Sequence, residues 1–395
     1  MQNAFLSKKP LHYSLRNKVK DMPSRLIVVK VGTSGITTNE GTLDEQEMQN
    51  LASQIAQATK EGDKIVLVTS GAVAAGVAEL GITLKPNDVV FQQVAAATGQ
   101  SVLMAKYRKF FAVYGLKVAQ VLLTAEDLSS RKAYVHVCDV LTLLLKIGVV
   151  PIINENDVTS IAELSRTEGY KVNFSDNDML SVLVAGAIGA DFVIILSDVE
   201  GLYTADPSKS GAELIRKVEV ITDELKKSLK GKSKRGRGGI QSKIKAAEIA
   251  TNCGIPVVIS NSRRENVITE VLAGKEVGTY FKPQGHMSAV KRWIAYGAAA
   301  KGSIQVNAGA KEAILQGSSL LAVGVTRVIG VFDVGDVVSL EDEAHQEFAR
   351  GNPNFNSSQL DQIKGLQVVE VLERLGADKP KEVIEHRNIH LVGEQ

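Results

Sequence analysis

The sequence predicts an α/β protein, an open and mainly parallel sheet sandwiched by helices, followed by a small β-rich barrel. Three observations lead there. Short β-branched apolar runs at 27–31, 64–70, 117–123, 149–153 and 191–196 alternate with helical periodicities. Those runs show little polar alternation, which is how strands covered on both faces read. Beyond residue 286 the texture changes to short strands with close turns.

A chain of 395 residues is too long for one small core, so roughly two domains are expected. The expected division is an N-terminal extension at 1–24, a catalytic domain at 25–282, a second module at 287–377 and a tail at 378–395, with 282–286 as the linker. Hydrophobic content of 44% and charged content of 23% fit a globular protein. The formal net charge of +2 gives no global field toward nucleic acid, which is disfavoured as a partner. Cys138 and Cys253 are the only cysteines and lie far apart in sequence, so no disulfide framework follows and a reducing, cytoplasmic compartment is expected. The apolar stretch from Val135 to Ile153 is interrupted by Asp139, Lys146, Gly148 and Pro151, so no membrane span is expected. Residues 1–24 are basic and lack a long apolar stretch, which excludes an ordinary secretory signal and leaves a flexible extension, or a transit peptide as the alternative.

In chain order, the run at 27–31 is the first buried strand. Helix 44–60 follows, with Met48, Leu51, Ile55 and Ala58 at spacings of three to four and Gly62 past its end. Strand 64–70 leads into the small-residue helix start Gly71–Gly76. Helical pattern fills 90–114, with Gly99 as an expected break. Strand 117–123, helix 131–146 and strand 149–153 come next. After a loop or hairpin at 158–174, Ser175-Asp-Asn-Asp178 supplies capping chemistry for a helix at 179–188. Strand 191–196, a structured turn at 201–207, helix 222–229, helix 240–253, strand 256–260, helix 265–273 and strand 278–281 complete the first domain. In the second, strands are expected at 303–306, 326–332 and 336–340, with a helix at 310–315.

Several of these elements carry polar groups where plain structure does not need them. Lys30 lies inside a buried strand, where a charge is costly unless an anion meets it. Gly32-Thr33-Ser34 then forms a turn whose N–H groups can face that anion, at the carboxyl end of a strand where open α/β sheets bind ligands. The plain alternative is a lysine snorkelling from a strand end. Ser70-Gly71 opens a helix at a strand end, a second anion cradle that also occurs as ordinary structure. Asn154-Glu-Asn-Asp157 follows the apolar Val-Val-Pro-Ile-Ile, either gripping a small polar ligand or making an Asx-rich turn. Residues 226–237 hold seven basic residues and no acid, as a solvated loop or as a mobile loop over polyphosphate. Lys243 sits in the first turn of its helix, at the positive end, where a lysine is locally unfavourable.

No Gly-x4-Gly-Lys-Ser/Thr and no strand-borne Gly-x-Gly-x-x-Gly is present, which disfavours P-loop enzymes and dinucleotide dehydrogenases. No cysteine–histidine pairing suggests a nucleophile, and no ligand spacing suggests a tight metal site. Isolated lysines, a Ser-Gly turn and two acid/amide clusters suit phosphoryl transfer, which needs positioning and positive charge more than covalent chemistry.

The stretches VVKVGTS (28–34), VTSGAVAAG (68–76), PIINEND (151–157), DNDML (176–180), LSDVEGLYTADP (196–207) and GRGGIQSKIKAA (236–247) arrive in one order across 25–282. In that set the chain resembles the glutamate 5-kinases of the amino acid kinase superfamily. The C-terminal module resembles a PUA domain, through KRWI (291–294), GSSLLAVGV (317–325) and NFNSSQL (354–360). The resemblance implies ATP-dependent phosphorylation of the γ-carboxylate of L-glutamate, with Mg2+, as the first step of proline synthesis. It implies Lys30 and Lys243 as the pair that neutralises the transferring group, and Asp178 as the residue that holds them. It implies that Gly32, Thr33, Ser70 and Gly71 donate to the phosphates and the substrate carboxylate. Asn154, Asp157 and Asn177 would bind glutamate, with Asp157 on the α-ammonium. Ser197 and Asp198 would meet the nucleotide, and Arg237, Gly238, Gly239, Ile240, Gln241 and Ser242 would form its mobile loop. Proline as feedback inhibitor and a homo-oligomer are further implications. The Gly236-Arg-Gly-Gly-Ile240 segment and Ser175 depart from the bacterial pattern, toward the kinase half of the bifunctional eukaryotic enzymes. The alternatives are a kinase for another acidic amino acid, or an RNA-binding protein built on the PUA-like module.

Overall fold

The structure, a computed structural model, describes residues 24–83, 88–160, 177–205, 211–229, 239–285, 287, 289–298, 300–376 and 381–392. The first part of the chain runs β1 (Leu26–Val31), α1 (Glu45–Lys60), β2 (Lys64–Val68), α2 (Ala72–Leu80), α3 (Val89–Ala112), β3 (Lys117–Leu123), α4 (Ala125–Ser129), α5 (Arg131–Lys146) and β4 (Val149–Glu155). It continues with α6 (Asn177–Ile188), β5 (Phe192–Ser197), the small hairpin β6 (Leu202–Tyr203) and β7 (Leu214–Ile215), β8 (Lys217–Val218), α7 (Asp223–Ser228), α8 (Ile240–Asn252), β9 (Val257–Asn261), α9 (Val267–Leu272) and β10 (Thr279–Phe281).

The eight-stranded sheet has the order β3-β4-β2-β1-β5-β9-β10-β8. All pairs from β3 to β9 are parallel. From β1 the chain first builds to one side, through β2, and later returns to place β5 on the other. The order therefore reverses at β1/β5, and the carboxyl ends of these strands form the crevice where such sheets bind ligands. Strand alternation sorts the side chains into two cores. Ile27, Val29 and Val31 face a layer of α1, α3 and α9, with Met48, Leu103 and Val267. Val28 faces a layer of α5, α6 and α8, with Leu141, Val184 and Ala247. Lys30 shares the Val28 face, because successive strand residues point to opposite sides.

The structure departs from the sequence reading at several elements. Gly99 does not break α3, which is continuous. A Cβ at Gly99 would lie 1.9 Å from the Ala72 carbonyl oxygen, and one at Gly76 would lie 1.7 Å from that of Ala95. Both glycines let α2 and α3 cross at backbone contact. The helix expected from 179 begins at Asn177, so Asn177 and Asp178 belong to its first turn. Strand β4 extends through Asn154 and Glu155, which pair with Leu122 and Leu123. Strand β10 runs antiparallel to β9.

The second module comprises α10 (Ala289–Arg292), a π-helical turn at Trp293–Gly297, β11 (Gly302–Val306), α11 (Ala308–Leu315), β12 (Leu320–Leu321), β13 (Val325–Gly330), β14 (Val338–Glu341), β15 (Glu347–Gly351), α12 (Ser357–Ile363), α13 (Val368–Leu375), β16 (Glu382–Ile384) and β17 (Ile389–Leu391). Its five-stranded sheet has the order β13-β11-β14-β15-β17, and β16 pairs with β12. The stretch read as a charged tail from 378 thus supplies two strands, one to each sheet. They are short, and charged residues flank them, which hides them from periodicity.

Residues read as marks of the second module close the first one. Ile294 and Ala298 are buried in the α5/α6/α8 core, joined there by Val337. A small cavity of about 10 Å³ remains at this seam, lined in part by Tyr134, Val182, Leu183, Ile249, Arg292 and Tyr296. Ile294→Ala is expected to cost about 2–4 kcal/mol, as for other fully buried isoleucines. A thermal melt of the full chain checks this, and an unshifted transition would mean that the seam adds nothing to the first core.

Candidate functional site

Lys30, Asp178 and Lys243 come from β1, α6 and α8 and meet at the switch point. Lys30 Nζ lies 2.5 Å from Asp178 Oδ1, and Lys243 Nζ lies 3.0 Å from Oδ2. All three are almost completely buried, at 3%, 0% and 6% exposure for Lys30, Asp178 and Lys243. Burial pushes the Asp178 carboxyl up, but the charges and hydrogen bonds of Lys30 and Lys243 outweigh it and hold the group below the usual carboxylate range. Asp178 also lies in the first turn of α6, where the helix dipole favours an anion. The unfavourable placement of Lys243 at the start of α8 is offset by the same carboxylate. Two buried ammonium groups thus gather on one carboxylate at the carboxyl ends of the strands, where open α/β sheets bind ligands.

The turns around it bring backbone N–H groups near. Gly32 precedes a 3-10 turn at Thr33–Gly35, and its N–H donates to the Leu196 carbonyl at 3.3 Å. A Cβ at Gly32 would come within 3.5 Å of Lys30 Nζ. Gly71 caps α2 at φ +96°, a left-handed conformation that glycine adopts without strain. Gly239 precedes α8, and Ile240, Gln241 and Ser242 form its first turn beside Lys243. Arg237 and Gly238 lie outside the described residues, as does most of the basic stretch at 226–237. So do Ser175 and Asp176.

A chain of amides forms the second half of the site. Asn177 Nδ2 donates to the Thr69 carbonyl at 2.7 Å, to Ser70 Oγ at 2.9 Å and to Asn154 Oδ1 at 2.9 Å. Asn154 Nδ2 donates to Gln100 Oε1 at 2.9 Å. Alternation along β2 and β4 turns Thr69 and Asn154 toward α3, and Asn177 reaches across the strand ends from α6. The two described members of the Asx run, Asn177 and Asp178, face the crevice. Asp157 is half-buried on the turn after β4, and the Asn156 N–H fastens that turn to the Leu123 carbonyl at 2.9 Å. Ser197 ends β5, with its hydroxyl donating to Asp198 Oδ1 at 3.0 Å.

Sequence reasoning missed three supports. Thr69 Oγ1 pairs with Tyr107 OH at 2.6 Å inside the core. The Ser262 N–H and hydroxyl both donate to the Ser197 carbonyl, at 2.8 and 3.0 Å. Gln100 sits where Ala96, Leu103 and Tyr107 make a buried stripe on α3. A glutamine in such a stripe is the signal that would have found it. The cysteines do not join the site. Burial, with a smaller push from Asp139, raises the Cys138 thiol to about 11, and burial raises Cys253 to about 12.

Residues 25–261 match the model of the amino acid kinase family, and residues 302–375 match that of the PUA domain. The glutamate 5-kinase of Moorella thermoacetica is 43% identical over 374 residues, which span 94% of this chain and 97% of that one. That of Caldanaerobacter subterraneus subsp. tengcongensis is 41% identical over 92% of this chain and 96% of its own. That of Methanosarcina acetivorans is 42% identical over 93% and 96%. The chain belongs to the amino acid kinase family and, within it, to the glutamate 5-kinases.

Proposed function

We propose that this protein transfers the γ-phosphoryl group of ATP to the side-chain carboxylate of L-glutamate, giving γ-glutamyl phosphate for proline synthesis. The observation that carries the reading is the buried Lys30–Asp178–Lys243 cluster at the β1/β5 switch point, in a chain of this family. A γ-carboxylate is ionised near neutral pH, so the acceptor needs no general base. Its oxygen attacks the γ-phosphorus. The bond to the β,γ-bridging oxygen breaks, and ADP leaves with that electron pair. Charge spreads over the oxygens of the transferring group, and Lys30 and Lys243 meet it from either side. Asp178 keeps the two ammonium groups in place. Thr33 and the first turn of α8 donate to the phosphates, Gly32 leaves room for them beside Lys30, and Ser197 and Asp198 lie toward the nucleotide. Ser70, Gly71, Asn154 and Asn177 hold the amino acid, with Asp157 toward its ammonium.

Mg2+ would come bound to the nucleotide and would supply positive charge against that of the phosphates. Among the described residues no three acidic, histidine or cysteine side chains converge on one point, and Asp178 is engaged by lysines. The described residues thus supply no cage of their own for the ion. Among the described residues no helix is long and apolar enough to cross a membrane. A cytoplasmic location, homo-oligomeric assembly and inhibition by proline belong to the same reading, supported by the family resemblance.

The test is ADP release in a coupled assay, with L-glutamate, L-aspartate, N-acetylglutamate or no acceptor. Release that depends on glutamate is expected, and release that is faster with another acceptor would replace the reading. Asp157→Ala is expected to raise the glutamate KM about ten- to a hundredfold, the worth of one charge-assisted contact, and to leave the ATP KM nearly unchanged. Equal rises in both constants would remove Asp157 from the amino-acid site.

A further inference from the structure

We propose that Gln100 is a positioning residue for the amino-acid substrate. It holds the Asn154 amide with its oxygen toward Asn177, and so supports the orientation, set at the other end by the Thr69 carbonyl, in which Asn177 Oδ1 is the acceptor left for the substrate's ammonium group. The inference rests on the reading above, in which the amino acid lies against Asn154 and Asn177.

The argument starts from one atom that cannot change roles. The Thr69 carbonyl only accepts hydrogen bonds, so the Asn177 atom 2.7 Å away is its amide nitrogen. That nitrogen also meets Asn154, whose facing atom must then be Oδ1. The other end of Asn154 is therefore its nitrogen, and it needs an acceptor. Gln100 Oε1 supplies it at 2.9 Å. Each amide is oriented by the next, from a backbone carbonyl at one end to a helix-borne glutamine at the other. Thr69 is itself tied to Tyr107 on α3, so both ends of the relay are anchored to that helix.

The polarity leaves one atom over. Asn177 Oδ1 is buried and has no hydrogen-bond partner among the described residues. A buried acceptor without a partner is costly, and a bound donor relieves the cost. The α-ammonium of an amino acid is such a donor, and the acceptor-only carboxylate of Asp157 suits it too. Were Asn154 reversed, its nitrogen would face the Asn177 nitrogen that the Thr69 carbonyl holds, and the two donors would push Asn177 Oδ1 out of place. With Asn154 only 3% exposed, water cannot take over the part of Gln100.

The test uses the full chain with Gln100→Met, which keeps length and loses the acceptor, and Gln100→Glu, which keeps the acceptor. Gln100→Met is expected to raise the glutamate KM about tenfold, with the ATP KM within about twofold. It is also expected to shrink the preference in kcat/KM for glutamate over glutarate, which lacks the amino group, by about tenfold. That ratio does not depend on the fraction of protein folded, so partial misfolding cannot imitate the result. Gln100→Glu is expected to restore most of both quantities. An unchanged preference in Gln100→Met, an equal rise in both KM values, or no restoration by Gln100→Glu overturns the relay. Absence of glutamate-dependent turnover in the unsubstituted protein would instead overturn the functional reading, so the two failures are separable.

Discussion

Lys30→Met and Lys243→Met are each expected to lower kcat by about 10²–10³ at saturating ATP and glutamate, the effect of removing one preorganised charge, or roughly 3–4 kcal/mol. Both side chains are buried and both ion-pair with Asp178, so neither is spent on solvating the surface. Arginine should rescue neither. Its planar fork is larger than the compact ammonium that sits, almost completely buried, against Asp178. The double variant should lose less than the sum, because the pair acts on one group. Circular dichroism would confirm the fold. Turnover within about threefold of the parent in either single variant would make that lysine structural.

Asp178→Asn is expected to be the most damaging single change. It removes the carboxylate that both buried ammonium groups contact, which costs about 3–5 kcal/mol of stability as well as activity. The substitution also has a pH signature. The folded carboxyl is held below its ordinary range, so its contribution to stability is present above the unfolded value of about 3.9 and fades as pH falls through the folded one. The parent should therefore lose stability on acidification below about pH 4 more steeply than the asparagine variant. Parallel acid limbs in urea titrations of the two proteins would show that the pair contributes nothing to folding.

What could be read in advance followed local physics. A lysine in a β-branched run is conspicuous because the cost of burying it is a property of that segment alone, and the same holds for Lys243 at a helix start. The partner that resolves both conflicts was legible as a polar excess at 175–178. That a single carboxylate serves both lysines is a tertiary fact. Gln100 escaped notice because α3 is apolar on most of its faces, so one amide in a buried stripe looks like noise. Gly99 was misread for a related reason. In a helix interior glycine costs about 1 kcal/mol relative to alanine, and the packing against α2 that compensates is set by residues more than twenty positions away. Residues 291–294 are assigned by resemblance to the module that follows them, whereas Ile294 is buried against the core of α5, α6 and α8.

That last placement has a bearing on how the protein is made. A ribosome delivers the chain from its N-terminus, and domains close as their segments emerge. When β10 is out, every strand of the large sheet exists. The faces of α6 and α8 that carry Val182, Leu183 and Ile249 still lack Ile294 and Tyr296 against them. These two helices hold Asp178 and Lys243 at their other ends. Nascent chains that stall between 281 and 298 would thus present an uncovered apolar seam to chaperones, with Asp178 and Lys243 on unsettled supports. Competence for chemistry would come with a segment that contributes no group to it.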